Sequence, residues 1–460
     1  MKLKKVLSVL TCATLLFTVS SPLMSAYAAG ETDYTIVNPY DCVDWDKWDY
    51  YKANLHTHSV ASDGDLSITD MVQLYYELGY DILAMTDHGV INEGWNKPRQ
   101  TNGIFNYFRK AEPMSDEDYR RITTGSDRGG RGMIDITHGI EMNMAVMTKT
   151  HVNGYFTDYG QAVWGNENDY RSSVAAVDRY GGFTVLNHVG DWVNSNNFPE
   201  RSHQDFYISY FANIFKDYKS CLGMEIINNT DSVTRADRAL WDELLQVVIP
   251  TGRNIIVFAD DDSEYVSDVG RSFEYFLLPE NTEENVKEAM QTGNFFACSK
   301  FQKYTDGTPN FEGNGEVPLV SNIKVDQKEN TIELTLDKNR DCSSVKWIAD
   351  GKVISTDTKI DLNDYEDQLG CYIRFELMGE GGVTYSQAFE LRYDGREAKE
   401  KDIPDMPWIL TGPLGDMFTR IIQSHGFGIV QFLVEKIANL LGIISVSYTH
   451  LRAHETLSDL

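Results

Sequence analysis

The histidines and acidic residues of this chain stand where short apolar runs end, and that placement constrains the fold more than any other feature. Residues 82–85, 134–140, 183–186, 224–227 and 255–258 are brief, largely apolar runs bounded by polar residues or glycine, so they read as buried strands. Between them Ser67 can cap a helix running to Glu77 and stopped by Gly79. Asp231 can start another through Val248, and Thr282 a third ending at Gly293. Alternating strands and helices imply parallel strands with crossover helices, in an open sheet or a closed barrel. In such folds the carboxyl ends of the strands converge on one face.

That face would collect an unusual set of side chains. His56 and His58 are two apart, which on a strand points both imidazoles the same way. Asp63 follows in the turn-like Ser62-Asp63-Gly64. Run 82–85 ends in Thr86-Asp87-His88, and run 134–140 ends at Glu141. His151 opens 152–156, Asn187-His188 follows 183–186, and Asp260-Asp261-Asp262-Ser263-Glu264 follows 255–258. Five of the ten histidines thus fall at strand edges beside carboxylates. One such histidine would be an ordinary core or surface residue, but the set is not explained that way. Three aspartates directly after a buried strand are costly unless solvated or neutralised, and bound cations neutralise them. Mixed imidazole and carboxylate ligands suit zinc, manganese or iron, and no CxxC or other zinc-thiolate spacing competes. Two or three such ions polarise a phosphoryl oxygen, supply hydroxide near neutral pH and stabilise the leaving oxygen. A carboxylate such as Glu141 can bridge two of them.

These motifs, in this order, resemble the PHP (polymerase and histidinol phosphatase) superfamily: His-Thr-His at 56–58, Ser-Asp-Gly at 62–64, Thr-Asp-His at 86–88, Gly-Ile-Glu at 139–141, His151 before Gly-Tyr-Phe, Asn-His at 187–188 and the acidic run at 260–264. The resemblance covers roughly residues 50–300. It implies an α/β fold, a distorted (β/α)7 barrel, with two or three divalent ions (Zn, Mn or Fe), usually hydrolysing phosphate esters. Carried over by position, His56, His58 and Glu141 resemble the ligands of one ion, joined by Asp262. Glu141, His151 and His188 resemble those of a second, and Asp63 and His88 those of a third. Where the family's closing motif has histidine this chain has Glu264, a harder ligand that would favour manganese or magnesium in the third position. Asp87 fits a partner that orients His88 or a neighbouring ligand. His203 and Asp191, near the His188 loop, are candidates for a general acid, although polar loop residues are the commoner reading of both.

Residues 94–133 read as an insertion. Eight basic residues (Lys97, Arg99, Arg109, Lys110, Arg120, Arg121, Arg128, Arg131) face five acidic ones, a local charge of +3. Arg128-Gly129-Gly130-Arg131-Gly132 could fold over the metal mouth and hold a small anionic substrate, or it could be a solvated loop.

From residue 319 to 393 the pattern changes to period-two alternation, with Asp350-Gly351 as a hairpin turn, and reads as a small antiparallel β-sandwich. Cys342 and Cys371 within it could pair or stay as core thiols. Trp347 and Tyr372 could face a ligand, but core packing is the commoner role. Residues 394–407 read as a charged linker and 408–446 as an apolar helical tail. Gln431, Glu435, Lys436 and Asn439 interrupt that tail, favouring an amphipathic helix packed on the protein or lying on a membrane surface. Residues 447–460 fit no element, resemble translated adapter sequence and are given no function.

Residues 1–29 have the basic start, short apolar stretch and Ala26-Tyr27-Ala28 of a secretory signal peptide, so an extracytoplasmic location, secreted or at the cell envelope, is expected. Its removal takes three lysines and no acid from the chain's −28, leaving −31. That acidity excludes a general nucleic-acid-binding surface. The expected activity is a metal-dependent phosphoesterase acting on a phosphomono- or phosphodiester with metal-bound hydroxide. The alternatives are a carboxylic ester or amide hydrolase on the same metals, or a non-catalytic surface-binding protein with a degenerate PHP domain.

Overall fold

Strands β2 (Asp49–Asn54), β3 (Ile82–Leu83) and β4 (Ile134–Asp135) pair in parallel, and residues following the first two carry the His56, His58 and His88 motifs. They belong to a computed structural model that describes residues 33–100, 111–143, 149–163 and 169–393. The expected signal peptide 1–29, linker 394–407, apolar tail 408–446 and terminal stretch 447–460 lie outside the described residues, as do 101–110 of the insertion.

A second sheet holds β5 (Ile140–Met142), β6 (Val152–Tyr155), β7 (Phe183–Leu186), β8 (Cys221–Asn228) and β9 (Ile256–Asp260) in that order. β7, β8 and β9 are parallel, but β6 runs antiparallel to both neighbours, contrary to the all-parallel expectation. The connections β5–β6 and β6–β7 therefore need no long crossover on the same side. The expected single strand over 134–140 is instead β4 and β5, which fall in different sheets. Two isolated parallel bridges join the sheets at their ends, Thr57 to Ser263 and His88 to Glu141. Side chains from β2, β3, β6, β7, β8 and β9, among them Ala53, Ile82, Tyr155, Val185, Leu222 and Phe258, form one buried cluster. Tyr155 closes it by donating its hydroxyl to Leu55 O at 2.8 Å.

The described helices are α1 (Ile68–Glu77), α2 (Asp116–Thr124), α3 (Tyr170–Tyr180), α4 (Val189–Val193), α5 (Asp205–Asp217), α6 (Asp237–Val248) and α7 (Glu283–Thr292). Ser67 and Thr282 cap α1 and α7 as their sequence signals require, accepting from Asp70 N and Asn285 N. Asp231 does not start α6. It sits in a left-handed turn six residues earlier, and its carboxylate is held by Arg238 at 2.9 and 3.0 Å.

The β-rich region is antiparallel, as expected, but it is not detached. β10 (Ser272–Leu278) pairs with β2, β11 (Phe295–Ser299) pairs with β10, and β20 (Gly382–Tyr385) pairs with β11. The short pair β12 (Phe301–Gln302) and β13 (Phe311–Glu312) follows β11. β14 (Val320–Asp326), β15 (Thr331–Leu336) and β18 (Lys359–Asp361) form a separate three-stranded sheet. β16 (Ser344–Ala349), β17 (Lys352–Ser355), β19 (Tyr372–Gly379) and β21 (Phe389–Tyr393) extend the first sheet, whose edge is β1 (Tyr34–Val37) paired with β21. Ile323, Ile332 and Ile360 from the small sheet share a core with Trp347, Phe375 and Phe389 from the large one. Trp347 and Tyr372 are both fully buried, so neither offers a ligand platform. Arg374 of β19 fastens the region to α6, donating to both oxygens of Asp242 at 2.7 and 2.8 Å, where Tyr372 also donates at 2.8 Å. All five cysteines after Cys12 are unbridged, Cys342 and Cys371 included.

Candidate metal centre

Two glycines let the motif loops close up. A side chain at Gly64 would put its Cβ 2.8–2.9 Å from the backbone of His58 and Ser59, so the Ser62-Asp63-Gly64 turn can fold back only without one. At Gly139 a Cβ would lie 2.7 Å from Met85 O, blocking the approach of β5 to the end of β3. With that approach made, Glu141 N donates to Thr86 O at 3.0 Å and Glu141 lies beside His88. His151 reaches the same place by the opposite route. Because β6 is antiparallel, its first residues lie beside the ends of β5 and β7, Val152 facing Met142 and Leu186.

Glu141 is 1% exposed and sits at the centre of five imidazoles. Its Oε2 is 3.2 Å from His56 Nε2, 3.1 Å from His58 Nε2 and 3.2 Å from His88 Nδ1. Its Oε1 is 3.2 Å from His151 Nδ1 and 3.6 Å from His188 Nε2, and accepts from Asn187 Nδ2 at 2.7 Å. Asp262 Oδ1 is 3.2 Å from His56 Nε2 and 3.1 Å from His58 Nε2, and those two nitrogens are 3.1 Å apart. Five of the six separations among these four atoms are thus 3.1–3.2 Å. A tetrahedron of that edge has its centre about 2 Å from each corner, the length of a zinc–nitrogen or zinc–oxygen bond. His88 Nδ1 is buried and makes no hydrogen bond, although Glu141 Oε2 is near. A lone pair left that way fits a metal ligand better than a hydrogen-bonded core histidine.

Among the described residues, three groups of side chains could hold an ion: His56, His58, Glu141 and Asp262; His58, Asp63 and His88; His88, Glu141 and His151. The first is the set expected for one ion. The other two differ from expectation. His58, not Glu264, completes the group at Asp63, and His88 takes the place expected of His188 beside Glu141 and His151. His188 remains within the cluster, 3.9 Å from Asp262 Oδ2. Glu264 is half-buried; burial and the carboxylates of Asp63 and Asp262 raise it above the ordinary range. The donors are imidazoles and carboxylates with no thiolate, which suits borderline to hard divalent ions.

The electrostatics call for positive charge. Burial alone would raise Glu141, Asp262 and Asp63, yet the surrounding imidazoles hold all three far below the usual carboxylate range. Burial alone would lower His188, but Glu141, Asp262 and Glu225 push it up to about 9.

The remaining sequence candidates fall elsewhere. Asp87 is buried and accepts from Ser59 N at 2.7 Å, Ser59 Oγ at 2.8 Å and Ser62 Oγ at 2.8 Å. It therefore holds the loop carrying His58 and Asp63 and does not reach the mouth as a catalytic group. His203 is 57% exposed and bonded to Glu243 at 2.7 Å, in no metal group. Asp191 is paired with Lys149 at 2.6 Å. Asp261 accepts three backbone N–H groups, from Gly270, Arg271 and Ser272, and is structural. Asp260 accepts from Leu55 N at 2.6 Å.

Arg128 and Arg131 are a correction. Both guanidiniums bind Asp81, the residue before β3, at the end of that strand opposite His88. Arg128 also donates to Tyr80 O at 2.7 Å, and Arg131 to Tyr50 O at 2.9 Å. Asp81 is almost fully buried, and two guanidiniums supply the neutralisation it needs. They do not clamp a substrate over the metal mouth.

Sequence reading missed Glu225. It lies in β8, fully buried, with Oε1 2.6 Å from His56 Nδ1. The available signal was an acid inside the otherwise apolar run Met224–Ile227.

Residues 54–252 match the PHP domain family. That stretch is thereby a PHP domain, and it holds seven of the nine expected ligands. The histidines, glutamate and aspartates gathered in the cluster have the donor types of a divalent-metal site. A solved structure from Bacteroides vulgatus ATCC 8482, of a two-domain protein containing a predicted PHP-like metal-dependent phosphoesterase, is 15% identical over 81% of this chain and 93% of that one, with a TM-score of 0.36. No curated protein matches the chain.

Proposed function

We propose that this protein is a metal-dependent phosphoesterase of the PHP type, acting on a phosphomono- or phosphodiester with two or three Zn, Mn or Fe ions. The observation that carries the reading is the shell of His56, His58, Glu141 and Asp262 at near-equal separations, with His88, His151 and His188 around the same glutamate. Two sheets joined by the Thr57–Ser263 and His88–Glu141 bridges support a distorted (β/α)7 barrel of β2, β3 and β5–β9. The ions, when bound, would polarise the phosphoryl group and activate water. The chain's own part is to fix them: Glu141 offers one oxygen to the first group and faces His151 with the other, and Asp87 holds the loop of His58 and Asp63. Asp63 and Glu264 lie beside the cluster, whereas Arg128 and Arg131 do not, which favours a small substrate whose charge would be met by metal.

Secretion through residues 1–29 and a surface or membrane contact through 408–446 are part of this proposal and rest on sequence alone. Among the described residues no helix is long and apolar enough to cross a membrane. The test is metal content of the purified protein, followed by turnover of p-nitrophenyl phosphate, bis-p-nitrophenyl phosphate and p-nitrophenyl acetate. The phosphate substrates are expected to be cleaved, and His56→Ala with His58→Ala should abolish cleavage. Acetate cleavage alone would favour a carboxylic ester hydrolase, and a metal-free, inactive protein would leave only the binding role.

A further inference from the structure

We propose that Glu225 and Asn228, three residues apart on strand β8, form a positioning strut that sets the donor directions of His56, His188 and Asp262 before any ion arrives. Glu225 is fully buried and uses both oxygens. Oε1 lies 2.6 Å from His56 Nδ1, while Oε2 accepts His188 N at 2.7 Å and Asn228 Nδ2 at 3.1 Å. Asn228 Nδ2 also donates to Asp262 Oδ2 at 3.1 Å. One carboxylate and one amide therefore join three members of the cluster from strand ends that are far apart in sequence.

Two consequences follow from the chemistry. A carboxylate at His56 Nδ1 keeps the proton there, so the Nε2 lone pair faces the site, where His58 Nε2, Glu141 Oε2 and Asp262 Oδ1 converge. Second, His188 and Asp262 both have positive φ, 28° and 46°. Residues with side chains hold such conformations only where the surroundings over-determine them. Here the surroundings are Glu225 on the His188 amide and Asn228 on the Asp262 carboxylate. The strut acts through the ligands and touches no substrate.

This inference rests on the metal-centre reading but not on the phosphoesterase reading. The full-length protein and its variants would be stripped with chelator and titrated with Co²⁺ against a competing chromophoric chelator, recording the visible spectrum of bound cobalt. Glu225→Ala should weaken binding by about 10–100-fold and shift the spectrum. Glu225→Gln keeps an acceptor for His56 but sets an amide N–H group or no good acceptor against His188 N, so its loss should be smaller. Asn228→Ala should also weaken binding. Glu274→Gln, which changes a buried carboxylate bonded to Ala259 N, should leave affinity and spectrum unchanged. Unaltered Co²⁺ affinity and spectrum in Glu225→Ala would overturn the proposal. Should that variant fail to fold, unaltered binding in both Glu225→Gln and Asn228→Ala would overturn it equally. Normal wild-type Co²⁺ binding without phosphate ester cleavage would sink the phosphoesterase reading and leave the strut standing.

Discussion

The two ends of strand β3 carry opposite solutions to the same problem of buried charge. Before it, Asp81 is enclosed by the guanidiniums of Arg128 and Arg131. Beyond it, His88 joins four other imidazoles around Glu141, with Asp63 and Asp262 at the rim. The first cluster is closed: both oxygens of its one carboxylate accept from guanidiniums, which also donate to the backbone carbonyls of Tyr50, Tyr76 and Tyr80. The second is open. Its nitrogens converge on shared oxygens, and one buried nitrogen has no hydrogen bond. A closed cluster holds a fold together, whereas an open one of this donor type is built to receive a cation.

The difference should break cleanly under mutation. Glu141→Gln is expected to have the largest effect, removing the charge common to two ligand groups. Metal content should fall, and turnover should drop more than about 1,000-fold, or ~4 kcal/mol of barrier. Asp81→Ala should do the reverse, lowering stability by about 2–4 kcal/mol in urea unfolding with Co²⁺ affinity intact. Arg128→Ala with Arg131→Ala should cost roughly 1–3 kcal/mol and leave KM for p-nitrophenyl phosphate unchanged; a tenfold rise in KM would restore the substrate clamp.

Between the two ends, Asp135 of β4 should give the smallest effect. Burial raises its carboxyl to about 8, and its Oδ2 accepts Trp95 N at 2.6 Å. The folded state keeps this proton over a range where the unfolded chain has released it. The wild type should therefore lose stability from this group as pH rises from the ordinary carboxylate range to about 8, and lose no more above it. Asp135→Asn should be more stable than wild type by roughly 1 kcal/mol at pH 8 and show no such gain near pH 3. Thermal melts across that range would check it.

The open cluster was legible in sequence because its ligands come in short local motifs at strand ends: His-Thr-His, Thr-Asp-His, Asn-His. A spacing of two and a strand boundary give direction as well as identity. The closed cluster was not. Arg128 and Arg131 show their charge in the sequence, but their direction depends on α2 and the turn at Gly125, which carry them to the far end of β3. Glu225 was hidden differently. It reads as part of a buried strand, and only the pairing of β7 with β8 brings it against His56 and His188. His151 was recognised for its type, though the reversal of β6 that delivers it was not. The β-rich region was legible strand by strand, but its attachment through β20 and β11 is a contact between residues 86 positions apart, as at Cys298 and Thr384, and leaves no local trace.

That attachment has a consequence for the order of events in synthesis. Among the described residues, the first strand, β1, pairs only with β21, the last, with Tyr34 opposite Tyr393. A nascent chain that has emerged only as far as β11 displays an unpaired edge on that strand and no partner for β1, and exposed edges recruit other chains. The ligand-bearing half can be complete on the ribosome while the sheet under it is still open. Chaperone demand should therefore peak late in elongation, and fragments ending near residue 300 should aggregate even though they contain every metal ligand.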